Sequence, residues 1–125
     1  MKPVLFVVIG IFAAACSNPC KEVQPVVDAY LLTKISHPET YKPIRLELVG
    51  EGRIDKDFYR FDLDGPTRDS IDIFVFRQEF RHLSRFGDPI ESTWCLYVTE
   101  DLNAVLCSSS DEEPREGIRW IRRER

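Results

Sequence analysis

The first sixteen residues constrain this chain most. One cation, Lys2, precedes an apolar run from Val4 to Ala15, which ends in a small-residue triplet followed by Cys16. A membrane-spanning helix needs about 20 apolar residues, so this run is too short to cross a bilayer. A charged start, an apolar middle and a small-residue end are the layout of a secretory signal, assigned to residues 1–15. The remainder is then exported and meets an oxidising compartment, where disulfides are allowed.

About 110 residues follow the signal, enough for one domain with a single core. The chain holds 17 Lys+Arg against 21 Asp+Glu, a net charge of −4. Loss of one lysine, Lys2, with the signal takes this to −5. Nucleic-acid binders carry a basic face, so this balance argues against that class of partner. No repeat is visible, and no motif calls for a cofactor. Cys16-x3-Cys20 has no matching second pair and neither histidine is near a cysteine, so a metal site is not expected.

Ala13-Ala14-Ala15-Cys16 resembles the lipobox of bacterial lipoproteins, with Ala13 where that family favours leucine. The resemblance implies that Cys16 carries the lipid, that Ser17 permits outer-membrane sorting, and that residues 16–21 are a short linker. The alternative is ordinary cleavage after Ala15, which yields a soluble secreted protein. One acyl chain holds a protein only marginally, and stable anchoring takes two or more. A lipidated Cys16 supplies them, as palmitate-type chains.

The mature domain, residues 22–110, reads as α+β. Val23, Val26, Val27, Tyr30, Leu31 and Ile35 make one apolar stripe, predicting a helix over 22–36 with Pro25 in its first turn and Pro38 as its stop. The rest reads as strands: alternation at Ile44, Leu46 and Leu48, a turn at Asp55-Lys56-Asp57, then Tyr59, Phe61 and Leu63. A long strand follows from Ile71 to Leu83. A final hairpin joins Trp94–Thr99 to 104–107 around Asp101-Leu102-Asn103, with Asn103 expected at positive φ. Short connections make these antiparallel neighbours. The predicted product is one helix on a curled meander of four to five strands, analogous to cystatin-like or NTF2-like rolls. Residues 111–125 form a charged tail or an edge segment.

Cys95 and Cys107 flank that last hairpin. They share a face whenever paired residue numbers sum to an even value. A Cys95–Cys107 disulfide is the favoured pairing, with Cys20 left over if Cys16 is lipidated; four thiols would allow three connectivities.

Two further stretches, His37-Pro38-Glu39-Thr40-Tyr41-Lys42-Pro43 and Phe80-Arg81-His82-Leu83-Ser84-Arg85-Phe86-Gly87, resemble segments of small bacterial lipoproteins of uncharacterised function. Those proteins pair a DP-x-SYEP-like segment with an FRAKN-x-(F)G-like one. His37 replaces the usual acidic residue, and His82-Leu83-Ser84 replaces the small and polar residues after the arginine. The resemblance covers about residues 22–108 and implies no particular chemistry.

Three groups of residues stand out for chemistry. Arg77, Arg81, His82 and Arg85 would make an anion- or partner-binding strip, since arginine forks suit carboxylate and phosphate; a solvated charged strand face is the plainer alternative. His82 has no visible nucleophile or orienting carboxylate, and Ser84 lacks a readable oxyanion hole. Asp62-x-Asp64-Gly65 lacks the ligand spacing of a calcium loop. In the tail, Trp120 with Arg119, Arg122 and Arg123 would suit anionic lipid headgroups, or would form a last edge strand. The resulting expectation is a lipid-anchored, non-enzymatic envelope protein facing the periplasm, with a protein partner. The alternatives are an exported inhibitor or immunity-type protein against an envelope hydrolase and, third, a small-ligand binder or hydrolase using the concave sheet face.

Overall fold

A computed structural model describes residues 17–55, 58 and 70–124. One helix, α1 (Ser17–Leu32), packs on a five-stranded antiparallel curled sheet. The strands are β1 (Lys42–Asp55), β2 (Ser70–Leu83), β3 (Pro89–Thr99), β4 (Val105–Ser109) and β5 (Arg119–Arg123), in the order β4-β3-β2-β1-β5. The α+β prediction holds. The first four strands form a meander, and β5 returns to the free side of β1.

α1 begins and ends earlier than the apolar stripe suggested. Val23, Val27 and Leu31, four residues apart, are its fully buried positions, as one helix face requires. Pro25 therefore lies in the helix interior instead of its first turn. Its missing N–H leaves the Lys21 carbonyl without its usual partner. Both residues are exposed, so water can reach that carbonyl. The helix stops before Pro38: Lys34 N donates to Leu31 O at 2.8 Å, closing a turn.

β1 runs on to Asp55, opposite Ser70 of β2. The strand expected at Tyr59–Leu63, with Lys56-Asp57 of its turn and the acids of residues 62–69, lies outside the described residues. No strand separates β1 from β2 among those described. A bulge between Leu48 and Gly50 breaks the alternation of β1. Beyond it Gly50, Gly52 and Ile54 take the buried positions, so two of the three show no apolar side chain in the sequence. A Cβ on Gly50 would fall on the Arg122 carbonyl oxygen, and one on Gly52 on Ile118 Cγ2. The two glycines let the C-terminal segment lie flat against β1.

The sheet is buried on both faces over part of its area. On the helix side, Phe76, Phe80, Leu96 and Val98 pack with Val23, Val27 and Leu31, flanked by Tyr30, Phe74 and Trp94. On the opposite side, Ile54, Ile73, Val75, Cys95, Tyr97 and Cys107 form a second cluster, joined by Phe58, Ile118 and Trp120. That cluster stops part-way along β2, where charged residues take over.

The Cys95–Cys107 disulfide is not present; no disulfide joins Cys20, Cys95 and Cys107 to one another. Both β-strand cysteines do face the same cluster, as an even sum demands. The register, however, sets Cys95 opposite Ser109 and Cys107 opposite Tyr97. The pair is thus diagonal, and diagonal neighbours stand about 7–8 Å apart, beyond ordinary disulfide reach. In the β3–β4 turn the positive φ belongs to Leu102 (62°), not Asn103. Asp101 Oδ1 accepts bonds from Thr99 Oγ1 and Asn103 N, which holds Leu102 between them while its side chain reaches the helix-side cluster.

Candidate functional site

Alternation along β2 puts Arg77, Glu79 and Arg81 on the face away from the helix. The register then sets Glu47 opposite Arg77, Arg45 opposite Glu79, and Glu91 opposite Arg81. Arg77 Nη1 lies 3.2 Å from Glu47, Arg45 lies 3.6 Å from both Glu47 and Glu79, and Arg81 Nη2 lies 2.8 Å from Glu91. Arg77 Nε also donates to the Glu112 carbonyl at 2.7 Å. The expected cationic strip is instead a lattice of alternating sign, three arginines against three glutamates. Exposed pairs of this kind contribute about 0–1 kcal/mol each. Sequence reasoning missed Arg45, Glu47 and Glu91, whose alignment with β2 depends on the register.

His82 faces the other way. Its Nε2 lies 2.9 Å from Ser92 Oγ, its ring packs against Phe80 at 5.0 Å, and its buried Nδ1 has no hydrogen-bond partner. The pleat therefore separates it from Arg77 and Arg81. Ser84, two residues on, is engaged elsewhere: its hydroxyl accepts from Phe86 N and Asp88 N at 3.2 Å each. The structure brings neither an arginine nor the Ser84 hydroxyl to His82.

The same hydroxyl builds the turn between β2 and β3. Ser84 N donates to Asp88 O and Gly87 N to Ser84 O, both at 2.8 Å. Gly87 supplies the positive φ of 87° that the turn needs. The ring of Phe86 stands 81% exposed at the tip, with the Arg85 guanidinium 5.4 Å from its centroid. Ile44 (45% exposed) and Ile90 (39%) lie at the same end of the sheet. Ile44 occupies a bulge in β1 between Pro43 and Arg45, and Ile90 pairs with His82. This end of the sheet thus exposes an aromatic tip held by four hydrogen bonds and two isoleucines, among the charged side chains of Lys42, Arg81, Arg85, Asp88 and Glu91. The sequence marks this loop by Phe86-Gly87-Asp88-Pro89, but its exposure emerges only from the fold.

The C-terminal segment is a strand. Arg119 pairs with Asp55 at 3.0 Å, Arg122 with Glu51 at 3.4 Å, and Arg123 with Glu113 at 3.8 Å while covering the Trp120 ring. Trp120 packs on the second cluster. At the far end of β2, a polar cleft of about 410 Å3 lies between the β1–β2 and β3–β4 ends, crossed by the Arg53–Asp72 pair at 2.7 Å. Among the described residues no cluster of three or more His, Cys, Asp or Glu could hold a metal ion, and no helix is long and apolar enough to cross a membrane. Cys16 and the stretch expected to be a signal, residues 1–15, lie outside the described residues.

Compared with known proteins, the chain matches no family model, no curated protein and no solved structure.

Proposed function

We propose that this chain is a lipid-anchored, non-enzymatic protein of the cell envelope, held by Cys16, whose α+β domain is a binding module for another envelope component. The observation that carries the reading is the Ser84–Asp88 turn, which holds Phe86 out in solvent at the sheet end that also exposes Ile44 and Ile90. Isolated exposed apolar residues are ordinary, but grouped ones mark contact sites. An aromatic anchor at the centre of an interface commonly supplies much of the binding energy.

The test places a photo-crosslinking residue at position 86 of the full chain in intact cells, and at exposed Glu100 as control. The reading expects a discrete adduct from position 86 alone. Equal adducts, or none from position 86, overturn it. Anchoring is tested separately, by the intact mass of the membrane-fraction protein and by C16S, which should move the protein to the soluble fraction.

The same turn also supports a second reading, an exported inhibitor of an envelope hydrolase, because a short projecting aromatic loop fits an enzyme cleft. Here the protein should protect its substrate from one hydrolase, and F86A should abolish that protection. Against the concave-face reading stands the packing itself, since Phe76, Phe80, Leu96 and Val98 fill the helix-covered face.

A further inference from the structure

The two edges of the sheet are built differently. β5 carries Arg119, Arg122 and Arg123 among five residues, and charge on an edge strand discourages pairing with another chain. β4 at the other edge, Val105–Ser109, carries no charged residue. Beside it runs a groove of about 380 Å3 walled by Tyr30, Lys34, Trp94, Ser108, Ser110 and Arg115.

This groove straddles the edge. Tyr30 and Trp94 belong to the helix-side cluster, and Tyr30 Oη and Ser108 Oγ are hydrogen-bonded at 2.8 Å. Lys34 Nζ lies over the Tyr30 ring, 5.1 Å from its centroid. Arg115 belongs to the opposite side: its amide donates to the Tyr97 hydroxyl at 2.9 Å, and its guanidinium covers the Phe58 ring at 4.1 Å. One cation thus stands on each side of the β4 edge. Among the described residues neither makes an ion pair with a carboxylate, whereas every arginine of β1, β2 and β5 does. Lys34 and Arg115 are the two cations that line this groove, where an external carboxylate can meet them, Arg115 while its Nη2 donates to the Phe58 carbonyl at 2.9 Å.

We infer that the β4 edge takes an extended acidic peptide segment as an added strand, with one carboxylate meeting Lys34 on the helix side and another meeting Arg115 on the far side. Strand addition supplies main-chain hydrogen bonds, and flanking side chains supply selectivity. Because strand side chains alternate between faces, the two carboxylates must come from neighbouring residues. Two acids separated by one residue would point to the same side and reach only one cation. The surface lies apart from the Phe86 turn and does not depend on it.

The test follows the backbone amides of the full chain by NMR during titration with blocked octapeptides of threonine and valine. One carries two adjacent central glutamates, one the same glutamates separated by a single residue, and one two adjacent lysines. The adjacent-glutamate peptide should shift Val105–Ser109 and slow their exchange. K34Q and R115Q should each weaken it about tenfold, the loss of one charge-assisted contact. K34E, at an exposed position, should fold normally and abolish the preference for the adjacent-glutamate over the lysine peptide, because Arg115 still favours the one and Glu at position 34 the other, so the inference stays testable if R115Q fails to fold. No shift in β4, equal binding of glutamate and lysine peptides, or shifts that track protein concentration and so reveal a second copy on the edge would each overturn it.

Discussion

Gln24 Nε2 donates a hydrogen bond to Gln78 Oε1 at 2.8 Å, joining the helix to the centre of the sheet. Gln78 is fully buried, and its own amide donates to the carbonyls of Arg45 at 3.0 Å and Glu79 at 2.8 Å. Gln24 also reaches Asp28, which accepts from the Tyr41 hydroxyl at 2.6 Å. A polar chain therefore crosses from the segment after the helix, through the helix, to β1. Buried polar groups are costly unless every valence is met, and here they are met.

Q78A should cost about 2–3 kcal/mol, from the cavity and the carbonyls left unpaired. Q24A should cost about 1 kcal/mol, since the Gln78 oxygen and the half-buried Asp28 carboxylate each lose one donor but keep other partners or access to water. Both residues belong to one network, so the double variant should cost less than the sum. Urea unfolding measures all three, and strictly additive costs would show that the two amides act independently.

Legibility in the sequence followed the side-chain periods. The helix stripe and the alternation of β2 were readable because Val23, Val27 and Leu31 repeat at four and Ile73, Val75 and Arg77 at two. β1 was half missed because Gly50 and Gly52 carry no period, and their small size matters only once Ile118 and Trp120 are seen against them. The arginine strip misled for a related reason. Alternation placed Arg77 and Arg81 on one face correctly, but their carboxylate partners come from strands whose register no local pattern specifies. The exposure of Phe86 and the groove at β4 are properties of assembled surfaces.

Close approach at Gly50 predicts a specific failure. G50A should destabilise the domain by about 1–3 kcal/mol, the usual range for forced overpacking. The added methyl meets the backbone of Arg122 and the Trp120 ring, so β5 must move. Trp120 emission should shift to the red, and hydrogen exchange should quicken at residues 119–123. An unchanged exchange pattern in a folded G50A would mean that β5 contributes little to holding this edge.

Tyr41 makes the alkaline limit of stability asymmetric. Burial, then the hydrogen bond to and charge of Asp28, push its phenol well above the ordinary value of 10.0. The unfolded chain therefore releases this proton first. The stabilisation is complete below pH 10 and is lost as pH rises towards the folded value. Stability from urea unfolding at pH 9, 10 and 11 should fall with pH, and Y41F should flatten that decline. The same slope in Y41F would assign the alkaline loss to other groups, Tyr97 first, since burial raises it too.

Cys95 should behave as an inert thiol. Burial pushes it from 9.0 up to about 11, against the opposing pull of Arg77. The thiolate is the species that attacks disulfides and alkylating agents, so at pH 8 almost none is present. The diagonal register removes Cys107 as a ready partner in addition. Iodoacetamide at pH 8 should leave Cys95 unmodified in the folded protein and label it rapidly in urea. The intact mass should show no two-proton deficit that maps to Cys95 and Cys107. By linkage, the raised value favours the folded state below pH 9, and this contribution is lost between pH 9 and 11; C95A should therefore lose part of the alkaline slope that Y41F leaves. A reducible Cys95–Cys107 bridge in protein taken from the envelope would require β4 to slip by two residues against β3, and would carry Ser108 away from Tyr30 and out of the groove.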